Sequence, residues 1–293
     1  MEVKPLLKWV GGKRELVPEI RLHYKSLKFG KYIEPFFGGG SVFLDIIKTF
    51  GVNQIQDSII NDVNSDLIDL YRNIKLNPTE ILENCNLLEN DFNNFGYYHI
   101  RDRFNGITRE KNPIEKYNGI VRSAALIVLN RTCFNGLYRT NRSGLFNVPE
   151  GRYKNPKIIN PENLFELSKV LPSVNNIRNG NFDSIEDLKR GDLVYFDPPY
   201  HPLSETSSFT DYSGNFGATQ QIQLKDYFKM LDEIGVFVIQ SNSSSVFIKN
   251  LYEEFQVLEV DCSRNINSNG KQRGKVKEFL IIGNTLSQEL ERL

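Results

Sequence analysis

Long apolar runs are missing from this chain of 293 residues. Its most apolar stretches, such as Val236-Phe237-Val238-Ile239, are far too short to span a bilayer, and no membrane partner is expected. Met1 to Trp9 has no signal-peptide core. Cysteine is scarce. Cys85, Cys133 and Cys262 show no CxxC spacing and no neighbouring histidine, so neither a disulfide scaffold nor a zinc site is expected, and a reducing, cytoplasmic setting is. The three histidines, His23, His99 and His201, are far apart and read as structural or surface residues. Net charge is also absent, with 36 basic against 36 acidic side chains, so any nucleic-acid surface must be sought in local patches. There is no internal repeat or low-complexity tract. What remains is an ordinary apolar content of 40%, enough for one large domain or two smaller ones.

The two ends of the chain alternate like an α/β protein. Lys31 to Glu34 reads as a strand, followed by the glycine cluster Gly38-Gly39-Gly40. Ser41 to Phe50 has helical spacing and stops at Gly51, and Ser58 to Asn61 is the next strand, with Asp62 just past its end. From about Asp66 to Asn130 the pattern is helical, with breaks at Pro78 and Pro113. Arg131 to Pro156 then reads as a long irregular loop, a feature that is usually functional or disordered. The last third supplies a strand at Asp192–Phe196, a helix at Gln220–Leu231, a buried strand at Val236–Ile239, and strands at Phe255–Val260 and Val276–Ile282. The expected fold class is α/β: a Rossmann-like sheet domain from residues 1–65 and 160–293, interrupted by a mostly helical insert at 66–159.

Five constellations carry chemistry. In Asp197-Pro198-Pro199-Tyr200, two prolines fix φ and remove backbone donors, leaving a stiff segment with bare carbonyls at the end of a strand. Ligands bind at such strand ends in α/β proteins. A conjugated amine such as adenine N6 is a poor nucleophile. A carboxylate and a proline carbonyl that accept its two N–H bonds localise its lone pair, and Tyr200 can stack on the base. A duplex base reaches such a pocket only when flipped out. Glu34-Pro35-Phe36-Phe37-Gly38-Gly39-Gly40 allows close approach of a ligand to the backbone after the first strand, or is a structural turn. Asp62 is placed to bond ribose hydroxyls or to cap the next helix. Lys8-Trp9-Val10-Gly11-Gly12-Lys13-Arg14 puts the only tryptophan beside a lysine that could meet a ligand carboxylate, or forms a basic loop on a core ring.

The fifth is the loop from Arg131 to Lys157. Its bases Arg131, Arg139, Arg142, Arg152, Lys154 and Lys157 face a single acid, Glu150, and Phe134, Tyr138, Phe146 and Tyr153 are interleaved. Basic residues mixed with aromatics are the footprint of a nucleic-acid surface. A second polar loop with Arg264, Lys271, Arg273, Lys275 and Lys277 could add phosphate contacts.

Taken in order, these segments resemble the Dam-type (D12 class) DNA adenine-N6 methyltransferases of bacteria and phages: WxGGK at Trp9–Lys13, FxGxG at Phe36–Gly40, Asn61-Asp62, an inserted region, then Asp197–Tyr200. Arg131 to Arg139, Phe146 to Tyr153 and Leu203-Ser204-Glu205-Thr206-Ser207 resemble the family as well. The resemblance implies S-adenosylmethionine as methyl donor and no metal. Trp9, Lys13, Phe36, Gly38, Asp62, Phe182 and Asp197 would bind the donor, and Asp197, Pro198 and Tyr200 would act on the target amine. Double-stranded DNA is the implied partner, with Phe134 as a wedge, Arg139 reading a guanine edge, Leu137 and Pro149 making apolar base contacts, and Asn135 and Arg152 as further DNA-binding residues. The implied site is GATC, methylated by direct in-line transfer. Where family members often carry Asp before Phe, this chain has Gly180-Asn181-Phe182, so any bond to the donor's adenine there is from a neutral group. A monomer is expected, with a companion restriction endonuclease as a possible partner in the same system. Two rivals stay open: a methyltransferase for another amine, such as RNA adenine or cytosine N4, and a catalytically silent DNA-binding protein.

Overall fold

The computed structural model describes residues 3–9, 11–186, 188–203, 216–263 and 275–293. Seven strands form one mostly parallel sheet in the order β3-β2-β1-β4-β5-β7-β6. They are β1 (Tyr32–Glu34), β2 (Ile59–Asp62), β3 (Ile177–Asn179), β4 (Leu193–Phe196), β5 (Phe237–Ser243), β6 (Gln256–Ser263) and β7 (Lys275–Ile282). β2, β1, β4 and β5 run parallel, with Ile33 opposite both Ile59 and Val194, and Val194 opposite Val238. β7 is antiparallel to β5 and to β6.

The chain divides into two compact units. The first comprises Lys13–Phe37, Asp45–Val63 and Gly180–Leu293. Its core joins Ile33, Val194, Phe196 and Val238 of the strands to Leu224, Phe228 and Leu231. Those three lie on the helix Ala218–Glu233, and all are buried. β5 is longer than its apolar run. Gln240, Ser241, Asn242 and Ser243 extend it and are all buried. Three of them are tolerated there because each is hydrogen-bonded: Tyr252 to Gln240 (3.0 Å), Tyr195 with Ser241 (2.8 Å) and Asn242 to Gln221 (3.0 Å).

The second unit comprises Met1–Gly12, Gly38–Leu44 and Asn64–Asn179. Its helices include Ser65–Leu76, Pro78–Phe95, Tyr97–Asn105, Gly119–Thr132 and Pro161–Val170. Pro78 opens its helix at the first turn, where a missing N–H costs nothing. The helix at Ser65 is capped by Asn64, whose side chain accepts from the Leu67 amide. That overturns a capping role for Asp62, which is instead the last residue of β2.

The stretch read as an irregular loop is more ordered than its composition suggests. The helix Gly119–Thr132 runs past Arg131, and Phe134–Gly136 is a short 3-10 turn. Isolated antiparallel bridges pair Cys133 with Glu150 and Thr140 with Phe146. Arg139 and Asn147 are tied by a backbone bond of 3.0 Å.

Candidate active site

The carboxyl ends of the neighbouring parallel strands β2, β1 and β4 bring Asp62, Phe36 and Asp197 to one edge of the sheet, where α/β proteins bind ligands. Asp197 follows β4 directly. Its Oδ1 pairs with Lys13 Nζ at 2.7 Å and accepts from Ser241 Oγ at 3.2 Å. Oδ2 accepts nothing from the described residues. The prolines divide in the same way. The Pro199 carbonyl is taken by Gln221 Nε2 at 2.8 Å, whereas that of Pro198 receives no hydrogen bond among the described residues. Gln221 is itself held by Asn242, whose Oδ1 accepts from the His201 amide at 3.2 Å. The loop is therefore braced on both sides of a carboxylate oxygen and a carbonyl that no described residue occupies.

Tyr200 donates its hydroxyl to Glu278 Oε2 at 2.8 Å, and Lys13 Nζ lies 4.5 Å from its ring centroid. One ammonium thus meets both Asp197 and the Tyr200 ring. Burial raises the Asp197 carboxyl above the ordinary value, while Lys13 opposes that shift. Burial, reinforced by the Asp197 and Glu278 charges, also holds the Tyr200 hydroxyl well above the usual tyrosine range, so it remains a donor.

Phe36 stacks on Phe182 with ring centroids 5.5 Å apart and meets Phe196 edge-on. Phe182 is buried. Asn61 joins the two segments that carry these rings, donating to the carbonyls of Pro35 and Gly180 at 3.0 Å each. Asn181 is exposed. Glu34 is buried and accepts from Tyr32, which marks it as structural.

Trp9 and Gly38 meet in the second unit. A Cβ on Gly38 would fall 2.9 Å from two atoms of the Trp9 indole, and Gly38 has φ +50°. Gly38→Ala is therefore expected to lower stability by about 1–3 kcal/mol through backbone strain, with the clash adding to it. Thermal unfolding checks this, and an unchanged Tm would contradict the close packing.

Of the residues assigned to DNA, Phe134, Asn135, Arg139, Pro149 and Arg152 are exposed, and Leu137 is half-buried. Asn135 has φ +55°, in the left-handed region that Asn tolerates. Other parts of the loop turn inward, contrary to the reading of the whole loop as a contact surface. Phe146 is 2% exposed, and Arg131 donates to the Leu6 carbonyl. Tyr138 bonds Asp66 at 3.0 Å and stacks on Trp9. Tyr153, by contrast, is 39% exposed, with Lys8 Nζ over its ring at 4.1 Å. In the second basic loop, Arg264, Lys271 and Arg273 lie outside the described residues, as do Val10, Ser204, Glu205, Thr206 and Ser207. Lys277 pairs with Glu259.

Sequence reasoning missed Ser241, Gln221 and Glu278. The polar run Ser241-Asn242-Ser243 directly after an apolar strand was the available signal for the first. Among the described residues no cluster of His, Cys, Asp and Glu could hold a metal, and no helix is long and apolar enough to cross a membrane.

A mostly parallel seven-stranded sheet flanked by helices is the Rossmann-like fold of a methyltransferase. The chain belongs to the D12 class of N6 adenine-specific DNA methyltransferases, whose family pattern matches residues 9–266. It is 38% identical to the Type II methyltransferase M1.LlaDCHI of Lactococcus lactis subsp. cremoris, covering 96% of this chain and 95% of that one. Against the Type II methyltransferase M.MjaIII of Methanocaldococcus jannaschii it is 40% identical, over 96% and 99%. A DNA adenine methylase of Serratia marcescens is 36% identical, over 95% and 98%. The protein is an adenine-N6 DNA methyltransferase, and DNA is its substrate.

Proposed function

We propose that the protein transfers the methyl group of S-adenosylmethionine to the N6 amine of a flipped-out adenine in duplex GATC. The observation that carries the chemistry is the split of acceptors at Asp197-Pro198. Asp197 Oδ1 is occupied by Lys13 and Ser241, while among the described residues nothing takes Oδ2 or the Pro198 carbonyl, the two acceptors that suit the N–H bonds of an amine. Accepting both draws N6 toward tetrahedral geometry and localises its lone pair, and the Tyr200 ring is the stacking surface for the base. When bound, S-adenosylmethionine would supply the methyl group, carried on a sulfonium. The Asp197 carboxylate offsets the positive charge that reaches the amine until its proton departs, so preorganised electrostatics supply most of the acceleration.

The donor's chemistry suits the residues present. Asp62 is a carboxylate for ribose hydroxyls, Phe36 and Phe182 give an aromatic wall, and Trp9, Gly38 and Lys13 complete the assigned set. Asn61 Oδ1 is a buried acceptor with no donor among the described residues, 3.7 Å from where a Cβ on Gly180 would sit. It offers a partner for an amine of the donor's adenine.

Residues 66–159 are assigned to target recognition, with Phe134, Asn135, Leu137, Arg139, Pro149 and Arg152 facing DNA, and residues 1–65 and 160–293 to catalysis. The GATC assignment is supported by the resemblance of Arg131–Arg139 and Phe146–Tyr153 to the Dam-type recognition region. Two relatives are named Type II methyltransferases, which favours pairing with a companion restriction endonuclease. We assign a monomer acting in the cytoplasm.

Labelled methyl transfer from S-adenosylmethionine to DNA, RNA and peptide acceptors tests this reading. Label in DNA alone is expected. Label in RNA or peptide would point to another amine, and failure to bind the donor would point to a silent DNA-binding protein.

The pH profile follows from Asp197. The active form is the carboxylate, and burial raises its pKa, so activity falls as pH drops through a value above the ordinary 3.8. Lys13 holds that value down. In Lys13→Met, the acid limb of kcat is expected to move to higher pH, read with saturating donor. An unmoved limb would show that Asp197 does not control it.

A further inference from the structure

We propose that Glu278 is a positioning residue for methyl transfer, fixing the Tyr200 ring in the orientation against which the target adenine stacks. This rests on the stacking role proposed for Tyr200. Glu278 lies on β7 between two partners, opposite Ser243 of β5 and Val260 of β6, so its backbone is held from both sides. From that fixed point its Oε2 accepts the Tyr200 hydroxyl at 2.8 Å. The ring is also met by Lys13 Nζ, 4.5 Å from its centroid, and Lys13 is itself anchored 2.7 Å from Asp197.

Two prolines restrict the backbone before Tyr200, but a tyrosine side chain still turns about χ1 and χ2. A hydrogen bond at the far end of the ring removes that freedom. Stacking depends on the ring being presented in one plane, so holding it beforehand lowers the entropy lost when the base arrives.

Among the described residues Glu278 forms no ion pair. Lys13 pairs with Asp197, and Lys277 pairs with Glu259. Its charge also works against ionisation of Asp197. A carboxylate at this spot is therefore costly to the catalytic group, and the Tyr200 hydroxyl is the contact that accounts for it.

The test uses the full chain with a GATC duplex carrying 2-aminopurine at the target adenine, and measures kcat in parallel. The variants are Glu278→Ala, Glu278→Gln, Tyr200→Phe, Tyr200→Ala and the Glu278→Ala/Tyr200→Phe double variant. Glu278→Ala and Tyr200→Phe are expected to lower kcat by similar factors, about tenfold, the scale of one hydrogen bond to a charged group. The double variant should lose no more than either single one, because both remove the same bond. Glu278→Gln keeps an acceptor and should stay within about threefold of the parent. In Glu278→Ala and Tyr200→Phe the fluorescence of the flipped base should shift equally towards the unstacked value, with donor KM unchanged. Additive losses, or a Glu278→Ala change confined to Tm, would overturn the positioning role. Full activity in Tyr200→Ala would refute the stacking reading itself, whereas an impaired Tyr200→Ala beside a fully active Glu278→Ala would refute only the role of Glu278.

Discussion

Asp197→Ala is expected to bind duplex DNA as the parent does and to transfer methyl groups at least about 100- to 1,000-fold more slowly, the scale of deleting one preorganised polar group from an active site. The carboxylate has a second duty that the experiment must separate. Asp197 is the partner of Lys13, whose side chain is only 8% exposed. Breaking a buried ion pair by removing one member commonly costs about 3–5 kcal/mol of stability. Asp197→Asn therefore belongs beside the alanine variant, since it keeps the shape and an oxygen acceptor but not the charge. Both variants should fold, by circular dichroism and thermal unfolding, and both should fail in transfer, with the asparagine form the less impaired. A folded Asp197→Ala enzyme with near-parental kcat would refute the catalytic assignment. Loss of folding in both variants would mean that a structural residue has been mistaken for a catalytic one.

Arg139→Ala is expected to weaken discrimination at one guanine of the site by about 1–3 kcal/mol, which is roughly five- to 150-fold. Among the described residues the exposed guanidinium uses only Nε, donating to Asn147 Oδ1 at 2.8 Å. Its two terminal nitrogens make no bond among the described residues, and they are the pair that a guanine O6/N7 edge accepts. The Asn147 contact and the Arg139–Asn147 backbone tie orient the fork before DNA arrives. Lysine at this position would retain the charge without the fork, so Arg139→Lys should lose most of the discrimination and keep most of the salt dependence. Competition between duplexes changed at single base pairs reads this directly. Uniform weakening over all of them would make Arg139 a phosphate contact instead.

Much of the framework was legible from sequence because its signals are local. The helix at Ser41–Phe50 has its boundaries where the apolar spacing begins and where Gly51, at φ +84°, ends it. The strands before Asp62 and Asp197 were found from short apolar runs, which is why both carboxylates could be placed at strand ends. The tail of β5 was hidden for the opposite reason. Gln240 to Ser243 are polar, so hydropathy ends the strand at Ile239, and only tertiary hydrogen bonds make the burial of Gln240, Ser241 and Asn242 tolerable. Glu278 left no trace either, since its partner Tyr200 is 78 positions away. Composition singled out the basic, aromatic segment from Arg131 to Lys157 but could not sort its aromatic side chains. Phe134 is 43% exposed and Phe146 2%, a difference set by the Thr140–Phe146 bridge and the packing beneath it.

Methyl transfer to adenine N6 within GATC is read out by restriction of plasmid DNA. Methylation-free plasmid would be incubated with the protein and S-adenosylmethionine. It would then be divided between an endonuclease that cuts only unmethylated GATC and one that cuts only N6-methylated GATC. Protection from the first and cleavage by the second are expected, with neither effect when the donor is omitted. Unchanged cutting by both enzymes, from protein that binds donor and duplex, would contradict methylation of GATC.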